Sequence, residues 1–322
     1  MAATLLVKPD DINVKLASNT TSVFEVGLSG VSQQTLETSH PSRPPKQLLI
    51  ISPTAKGEYP VIVFLHGFAL SNSYYTDLLK HISSHGYIAV APQLYSLTPT
   101  LPCWGYDEIN STAEVTDWLP KGLHSVLHEK VEADLLNLVL MGHSRGGKTA
   151  FSLAIDHCKT SLKFKALIGV DPVAGTSVGG QVKPEILTNH PHSLNVGYPI
   201  MIIGTGLGDE KLAGVLPECA TKGLNHKNFY YESQPPCYHF VSKEYGHMDM
   251  LDDGIGIVGK LASCVCKSGK DSKDPMRRCV GGLVVAFLGY YLHGIVEDLE
   301  AILHNPNKVA PVTLDPVEYQ MS

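Results

Sequence analysis

This 322-residue chain predicts an α/β fold, a central mostly parallel sheet with helices on both faces. Three observations carry that reading. Strand-like apolar runs alternate with helix-like amphipathic stretches along the chain. Some runs, such as Pro60-Val61-Ile62-Val63-Phe64-Leu65, are apolar without a break, which suits strands buried on both faces. The polar residues of chemical interest fall where the runs end, the edge at which open parallel sheets place their sites.

Taken in order, Val23-Phe24-Glu25-Val26 alternates and reads as a first strand. Gln47 to Ser52 reads as a second, and Pro60 to Phe68 as a third that ends in His66-Gly67-Phe68. Asn72 to Ser84 is amphipathic, with Tyr75, Leu78, Leu79 and Ile82 on one face, and Gly86 stops it. Tyr87 to Ala91 is the next strand. Residues 94–120 form an irregular, apolar-rich segment with Pro99, Pro102, Trp104 and Trp118; it turns helical from Ile109 onward, toward Glu129. It reads either as a lid over an apolar ligand or as a packed loop. Strands at Leu138–Met141, Ala166–Val170, Pro199–Gly204 and Cys237–Ser242 follow, the last read as the final strand. Lys148 to His157 is a helix, and Met276 to His304 reads as one long helix with Val280, Leu283, Phe287, Tyr291 and Ile295 buried. There are no internal repeats, and residues 1–322 are expected to form a single domain.

Composition removes several function classes. The net charge is −6 and the basic residues are scattered, which argues against a nucleic-acid partner. The longest uncharged apolar stretch, Val280 to Leu292, is too short to cross a bilayer. The histidines show no H-E-x-x-H spacing, so neither a metal nor another protein-bound cofactor is expected. Gly204-Thr205-Gly206-Leu207-Gly208 does not fit the dinucleotide fingerprint and reads as a tight loop. The 7 cysteines are odd in number. A reduced protein is the favoured expectation, with one disulfide among Cys264, Cys266 and Cys279 as the alternative. Residues 1–11 have no long apolar core and no arginine, so no clear targeting peptide is read there.

The chemistry concentrates at Gly142-His143-Ser144-Arg145-Gly146-Gly147, an apolar strand passing through a glycine-flanked serine into a helix. A serine at such a corner is strained and exposed, and the helix N-terminus aims N–H groups at the same spot. Ser144 is therefore the candidate nucleophile. The same pattern recurs at Gly175-Thr176-Ser177-Val178-Gly179, but Gly180 and Pro184 follow and no helix opens, so that copy reads as a loop. A serine needs a base, and a histidine base needs a carboxylate to orient it. In the α/β-hydrolase order the histidine comes last. Of the histidines after Ser144, only His247 lies in a loop just beyond a strand, beside a permissive glycine, Gly246. Two acids end strands between them, Asp171 and Asp209, and pattern alone slightly favours Asp209. The backbone N–H groups of Arg145 and Phe68 are the candidate oxyanion donors.

With these residues assembled, the sequence resembles the plant chlorophyllases over nearly its whole length. The resemblance rests on Pro60–Phe68, Gly142–Gly147, Ile168-Gly169-Val170-Asp171-Pro172-Val173-Ala174-Gly175 and Tyr245-Gly246-His247-Met248-Asp249. It implies an α/β-hydrolase fold and hydrolysis of the phytyl ester of chlorophyll, or of a related phytylated tetrapyrrole, to chlorophyllide and phytol. It implies a triad of Ser144, Asp171 and His247, which reverses the preference for Asp209. The magnesium of that reaction belongs to the substrate. Peripheral association with a membrane is compatible with such a substrate. The resemblance points to the chloroplast, with cytosol and endoplasmic reticulum as alternatives. A broad carboxylesterase or lipase-like hydrolase on the same triad is the competing reading, and a hydrolase-fold receptor without turnover is a third.

Overall fold

The computed structural model describes residues 22–95, 105–177, 179–212 and 217–321. Its strands are β1 (Val31–Leu36), β2 (Leu48–Pro53), β3 (Gly57–Leu65), β4 (Ile88–Pro92), β5 (Val131–His143), β6 (Phe164–Val170), β7 (Ile200–Thr205), β8 (Cys237–Ser242) and β9 (Leu314–Gln320). They form one sheet in the order β1-β2-β4-β3-β5-β6-β7-β8-β9. The run from β4 to β8 is parallel, while β1, β2 and β9 close the edges antiparallel. The helices are α1 (Thr76–Ser84), α2 (Gly105–Gly122), α3 (Arg145–Ala154), α4 (His226–Glu232), α5 (Gly256–Ser263), α6 (Asp274–His293), α7 (Glu297–His304) and α8 (Pro306–Val309).

Alternate residues of each central strand face opposite sides of the sheet, as the pleat requires. Val139 and Met141 join Leu78, Leu79, Ile82, Leu283 and Phe287 from α1 and α6. Leu138 and Leu140 join Ile109, Trp118, Ala150 and Phe151 from α2 and α3. Two cores thus sandwich the sheet, and this explains the unbroken apolar runs. Each fully buried Leu, Ile or Phe contributes about 1.5–3 kcal/mol, so together they hold the strand ends rigidly enough to carry a site.

Several sequence expectations are corrected. Val23-Phe24-Glu25-Val26 is not a strand. Val23 and Phe24 are buried, Val23 offers its carbonyl to His81 Nε2 at 2.8 Å, and Phe24 packs where Gly282 of α6 leaves room. The true first strand, Val31–Leu36, is an edge strand of mostly polar residues with little burial, which leaves it no apolar signal. Cys237–Ser242 is not the last strand, because Leu314–Gln320 pairs beyond it. The long C-terminal helix breaks at Gly294, whose φ of 68° ends α6 in a left-handed cap. Ile295, expected buried, is 46% exposed just past that break.

The cysteine expectation is also corrected. Cys219 and Cys266 form a disulfide, with Cα atoms 5.6 Å apart. Cys279 lies fully buried in the core on α6, and Cys264 is exposed and free. The bond joins the connections that follow β7 and β8, Cys266 lying just beyond α5, two segments 47 residues apart in sequence.

Within 94–120, residues 96–104 lie outside the described residues, Trp104 among them. From Gly105 the chain is helical. Trp118 is buried in the core and donates its indole N–H to the Ser42 carbonyl at 2.7 Å. This half of the segment is therefore part of the packed body of the domain.

Candidate active site

Strand β5 delivers Ser144 into a backbone that only close packing sustains. Its φ and ψ are 55° and −123°, a left-handed conformation rare outside glycine. The flanking glycines make the corner possible. A Cβ at Gly142 would sit 2.3 Å from the Gly146 carbonyl oxygen, and one at Gly146 would sit 2.3 Å from that of Leu65. Neither position tolerates a side chain. Ser144 N–H donates to the Val170 carbonyl at 3.0 Å, which ties the corner to the end of β6.

β6 ends in Asp171, fully buried, and β8 ends just before the loop carrying His247. His247 Nε2 lies 2.8 Å from Ser144 Oγ, and its Nδ1 lies 2.7 Å from Asp171 Oδ2. Burial alone would raise the Asp171 pKa. The hydrogen bond and charge of His247, the nearby His226 and the hydrogen bond from Thr205 outweigh it and hold the carboxyl at about 2. Thr205 Oγ donates to Asp171 Oδ2 at 2.6 Å. An ionised, fully buried carboxylate thus faces one ring nitrogen while the other faces the serine.

Asp209 is not part of this arrangement. It follows β7 as expected, but its Oδ2 accepts from Lys227 Nζ at 2.9 Å. Asp171 occupies the place beside His247, because β6 is the strand next to β5.

The base loop is fastened on both sides. Asp249 Oδ2 accepts the N–H groups of Gly246 and Gly269, each at 2.7 Å. Gly246 must be glycine, since a Cβ would lie 1.8 Å from the Lys267 carbonyl oxygen. On the other side the His247 carbonyl accepts from His143 Nε2 at 3.0 Å.

The His66-Gly67-Phe68 turn lies directly against the serine. A Cβ on Gly67 would be 3.3 Å from Ser144 Cβ. Phe68 is 55% exposed, and the Arg145 guanidinium sits 5.1 Å from its ring centroid. Arg145 is anchored from below by Glu108 of α2, with an N–O distance of 2.7 Å. Glu108 also accepts from Thr149 at 2.8 Å, and Lys148 is buried beside them. Burial lowers the Lys148 amine to about 8, against the opposing pull of Glu108.

A cavity of about 640 Å³ opens over Ser144, lined by Phe68, Val173, Val182, Met248, Val265 and the Cys219–Cys266 disulfide among others. A larger space of about 740 Å³ lies around Phe164, Lys165 and Tyr198, at the opposite ends of β6 and β7, far from the serine. The second glycine-flanked serine, Ser177, sits in a turn closed by its carbonyl and Gly180 N–H at 2.8 Å, with no histidine bonded to it among the described residues.

Sequence reasoning missed Thr205, Asp249, Glu108 and the disulfide. Thr205 was recoverable in part, since it ends the strand adjacent to the one that delivers Asp171. The others depend on helix packing and loop crossings that leave no local pattern.

A strained serine after a parallel strand, a histidine bridging it to a buried aspartate and a facing backbone turn define the serine-hydrolase constellation of the α/β-hydrolase fold. The comparisons with known proteins agree. The chlorophyllase family model matches residues 19–321. Chlorophyllase-2 of Arabidopsis thaliana is 47% identical over 282 residues, 86% of this chain and 87% of that protein. Chlorophyllase-1, chloroplastic, of Citrus sinensis is 46% identical over 309 residues, 94% of this chain and 90% of its own. Chlorophyllase type 0 of Chenopodium album is 42% identical over 276 residues, 84% and 78% of the two chains. The chain belongs to the chlorophyllase family, and with it to the carboxylic ester hydrolases.

Proposed function

We propose that this enzyme hydrolyses the phytyl ester of chlorophyll through an acyl-enzyme on Ser144. The observation that carries the mechanism is the unbroken Ser144–His247–Asp171 hydrogen-bond chain, at 2.8 and 2.7 Å. Ser144 Oγ attacks the ester carbonyl while His247 Nε2 takes its proton. The carbonyl oxygen becomes an oxyanion held by the N–H groups of Arg145 and Phe68, a donor pair worth roughly 10²–10³ in turnover per member. Collapse breaks the bond to the phytyl oxygen, and His247 returns its proton to that oxygen as phytol leaves. Water then attacks the acyl-enzyme with His247 again as base, releasing the chlorophyllide carboxylate and restoring Ser144. Asp171 keeps the imidazole in the Nδ1–H tautomer and balances its transient charge. The chain supplies every proton transfer, so no protein-bound cofactor is assigned a step, and the magnesium is carried by the substrate.

The cavity suits this substrate class. Phe68, Val173, Met248 and Val265 offer apolar surface around the serine. Each CH₂ of a tail buried there contributes about 0.8 kcal/mol. Two Citrus relatives carry the word chloroplastic in their names. Chloroplast residence, with peripheral association at a membrane, is the placement we propose for this chain. Among the described residues no helix is long and apolar enough to cross a membrane.

The test is incubation with chlorophyll. The wild type is expected to release chlorophyllide, seen as a more polar green product, and Ser144→Ala to lose about 10⁶ in kcat. Turnover of p-nitrophenyl esters with none of chlorophyll would instead favour a broad esterase.

A further inference from the structure

One buried chain of hydrogen bonds crosses behind the nucleophile without bonding to its hydroxyl. Gly67 N–H donates to Tyr75 Oη at 3.0 Å. Tyr75 Oη lies 2.7 Å from His143 Nδ1, and His143 Nε2 lies 3.0 Å from the His247 carbonyl oxygen. Tyr75 and His143 are fully buried. The proton positions follow from the partners. A carbonyl only accepts, so His143 Nε2 carries the hydrogen. In a neutral ring Nδ1 is then an acceptor and takes the Tyr75 hydroxyl proton, which leaves Tyr75 Oη to accept from Gly67. Each group has a single role, and no second arrangement satisfies all of them with a neutral ring.

The two ends of this chain are the two parts of the site that must be aligned on Ser144. One end is Gly67, whose N–H belongs to the His66–Gly67 peptide and whose carbonyl opens the Gly67–Phe68 peptide. Its carbonyl is taken by Leu70 N–H at 3.2 Å and faces His66 Nδ1 at 2.9 Å. A trans peptide points the next N–H the opposite way, so fixing Gly67 on both its groups fixes the direction of Phe68 N–H. The other end is the backbone of His247 itself. His143 is also the residue before the nucleophile, so the connection passes through the strand that carries Ser144.

We infer that Tyr75 and His143 are positioning residues that lock the oxyanion turn and the base loop into one frame around Ser144. This rests on the roles given above to Ser144, His247 and Phe68. The burial that holds His143 at about 3 keeps the ring neutral near pH 7, so the frame carries no charge there. Gly67 serves the same frame, since a Cβ there would press on His143 Nδ1 at 3.1 Å and on Ser144.

The test uses the full chain, with chlorophyll as substrate and a trifluoromethyl ketone as a mimic of the tetrahedral oxyanion. Tyr75→Phe removes both bonds of the hydroxyl and keeps the ring in the core. It is expected to lower kcat roughly ten- to a hundredfold and to leave KM within about twofold. Affinity for the ketone is expected to fall in step with kcat. His143→Gln keeps an amide donor toward the His247 carbonyl, and His143→Asn keeps an acceptor toward Tyr75. Each is expected to fall between the wild type and His143→Ala. A folded Tyr75→Phe with wild-type kcat overturns the inference, as does a loss of kcat that leaves ketone affinity unchanged. If Tyr75→Phe does not fold, the two conservative His143 variants decide on the same two readouts. Ser144→Ala, run alongside, separates the layers. Activity surviving in Ser144→Ala would sink the catalytic reading, whereas a dead Ser144→Ala beside an unimpaired Tyr75→Phe would sink only the frame.

Discussion

Two buried polar groups flank the nucleophile on opposite faces of the sheet, and they are built on opposite principles. On the α1 face, Tyr75 and His143 form a neutral chain in which every polar side-chain atom meets a partner. On the α2–α3 face, Glu108, Arg145 and Lys148 form a charged cluster, and Lys148 Nζ has no hydrogen-bond partner among the described residues. Burial of a satisfied neutral chain fixes geometry without creating a charge that needs balancing. Burial of a charged cluster anchors two helices but leaves its members open to titration. The contrast assigns alignment of the reacting groups to the first and attachment of α2 beneath α3 to the second.

Among substitutions around the nucleophile that leave Ser144 in place, the largest effect should come from the buried carboxylate beside His247. Asp171→Asn removes the carboxylate that orients His247 and is expected to lower kcat by about 10⁴ with little change in KM. Asp209→Asn, which removes the carboxylate that accepts from Lys227, should leave kcat near wild type, and steady-state kinetics of the pair would check this. The Asp171 carboxyl is held at about 2, so its contribution to stability is complete above its unfolded value near 3.9. That contribution fades as the pH falls toward 2.

A change on the charged side should instead act on stability. Glu108→Ala removes the carboxylate that Arg145 contacts at 2.7 Å and leaves the buried Lys148 amine without that neighbouring charge, and is expected to cost roughly 3–5 kcal/mol in denaturant unfolding. A loss of activity at full stability would break the division of labour. The smallest effect should come from Lys148→Met, which removes a buried charge of similar shape and is expected to stabilise by about 1–3 kcal/mol near pH 7. The sign with pH is fixed. The folded amine sits at about 8, below its unfolded value near 10.4. Its burial penalty is thus complete below about 8 and disappears as the pH rises past 10. Thermal unfolding of the wild type and Lys148→Met should therefore converge at high pH.

Much of this molecule is legible in its sequence, for physical reasons that also mark the limits. Ser144 stands out because strand, glycines and helix are contiguous, and His247 because a strand end precedes it. Choosing Asp171 over Asp209 is a matter of strand order and of Lys227, neither visible in local pattern; the resemblance to the plant chlorophyllases supplied it. Tyr75 reads correctly as a buried helix residue, but nothing local shows that its hydroxyl reaches Gly67 and His143. The polar edge strand β1 escapes for want of an apolar face. β9, with Pro316 in it and mostly exposed or half-buried side chains, escapes for the same reason. Cys219 and Cys266 meet across 47 residues of sequence, a separation that no local pattern spans.

The central claim is that Ser144 carries the acyl group. The most direct measurement is an acid-quenched reaction with chlorophyll, digested and read by mass spectrometry. The expected result is a chlorophyllide adduct on the peptide containing Ser144, present within the first turnover and absent from Ser144→Ala. An adduct on another residue, or chlorophyllide formed at an undiminished rate by Ser144→Ala, would contradict it.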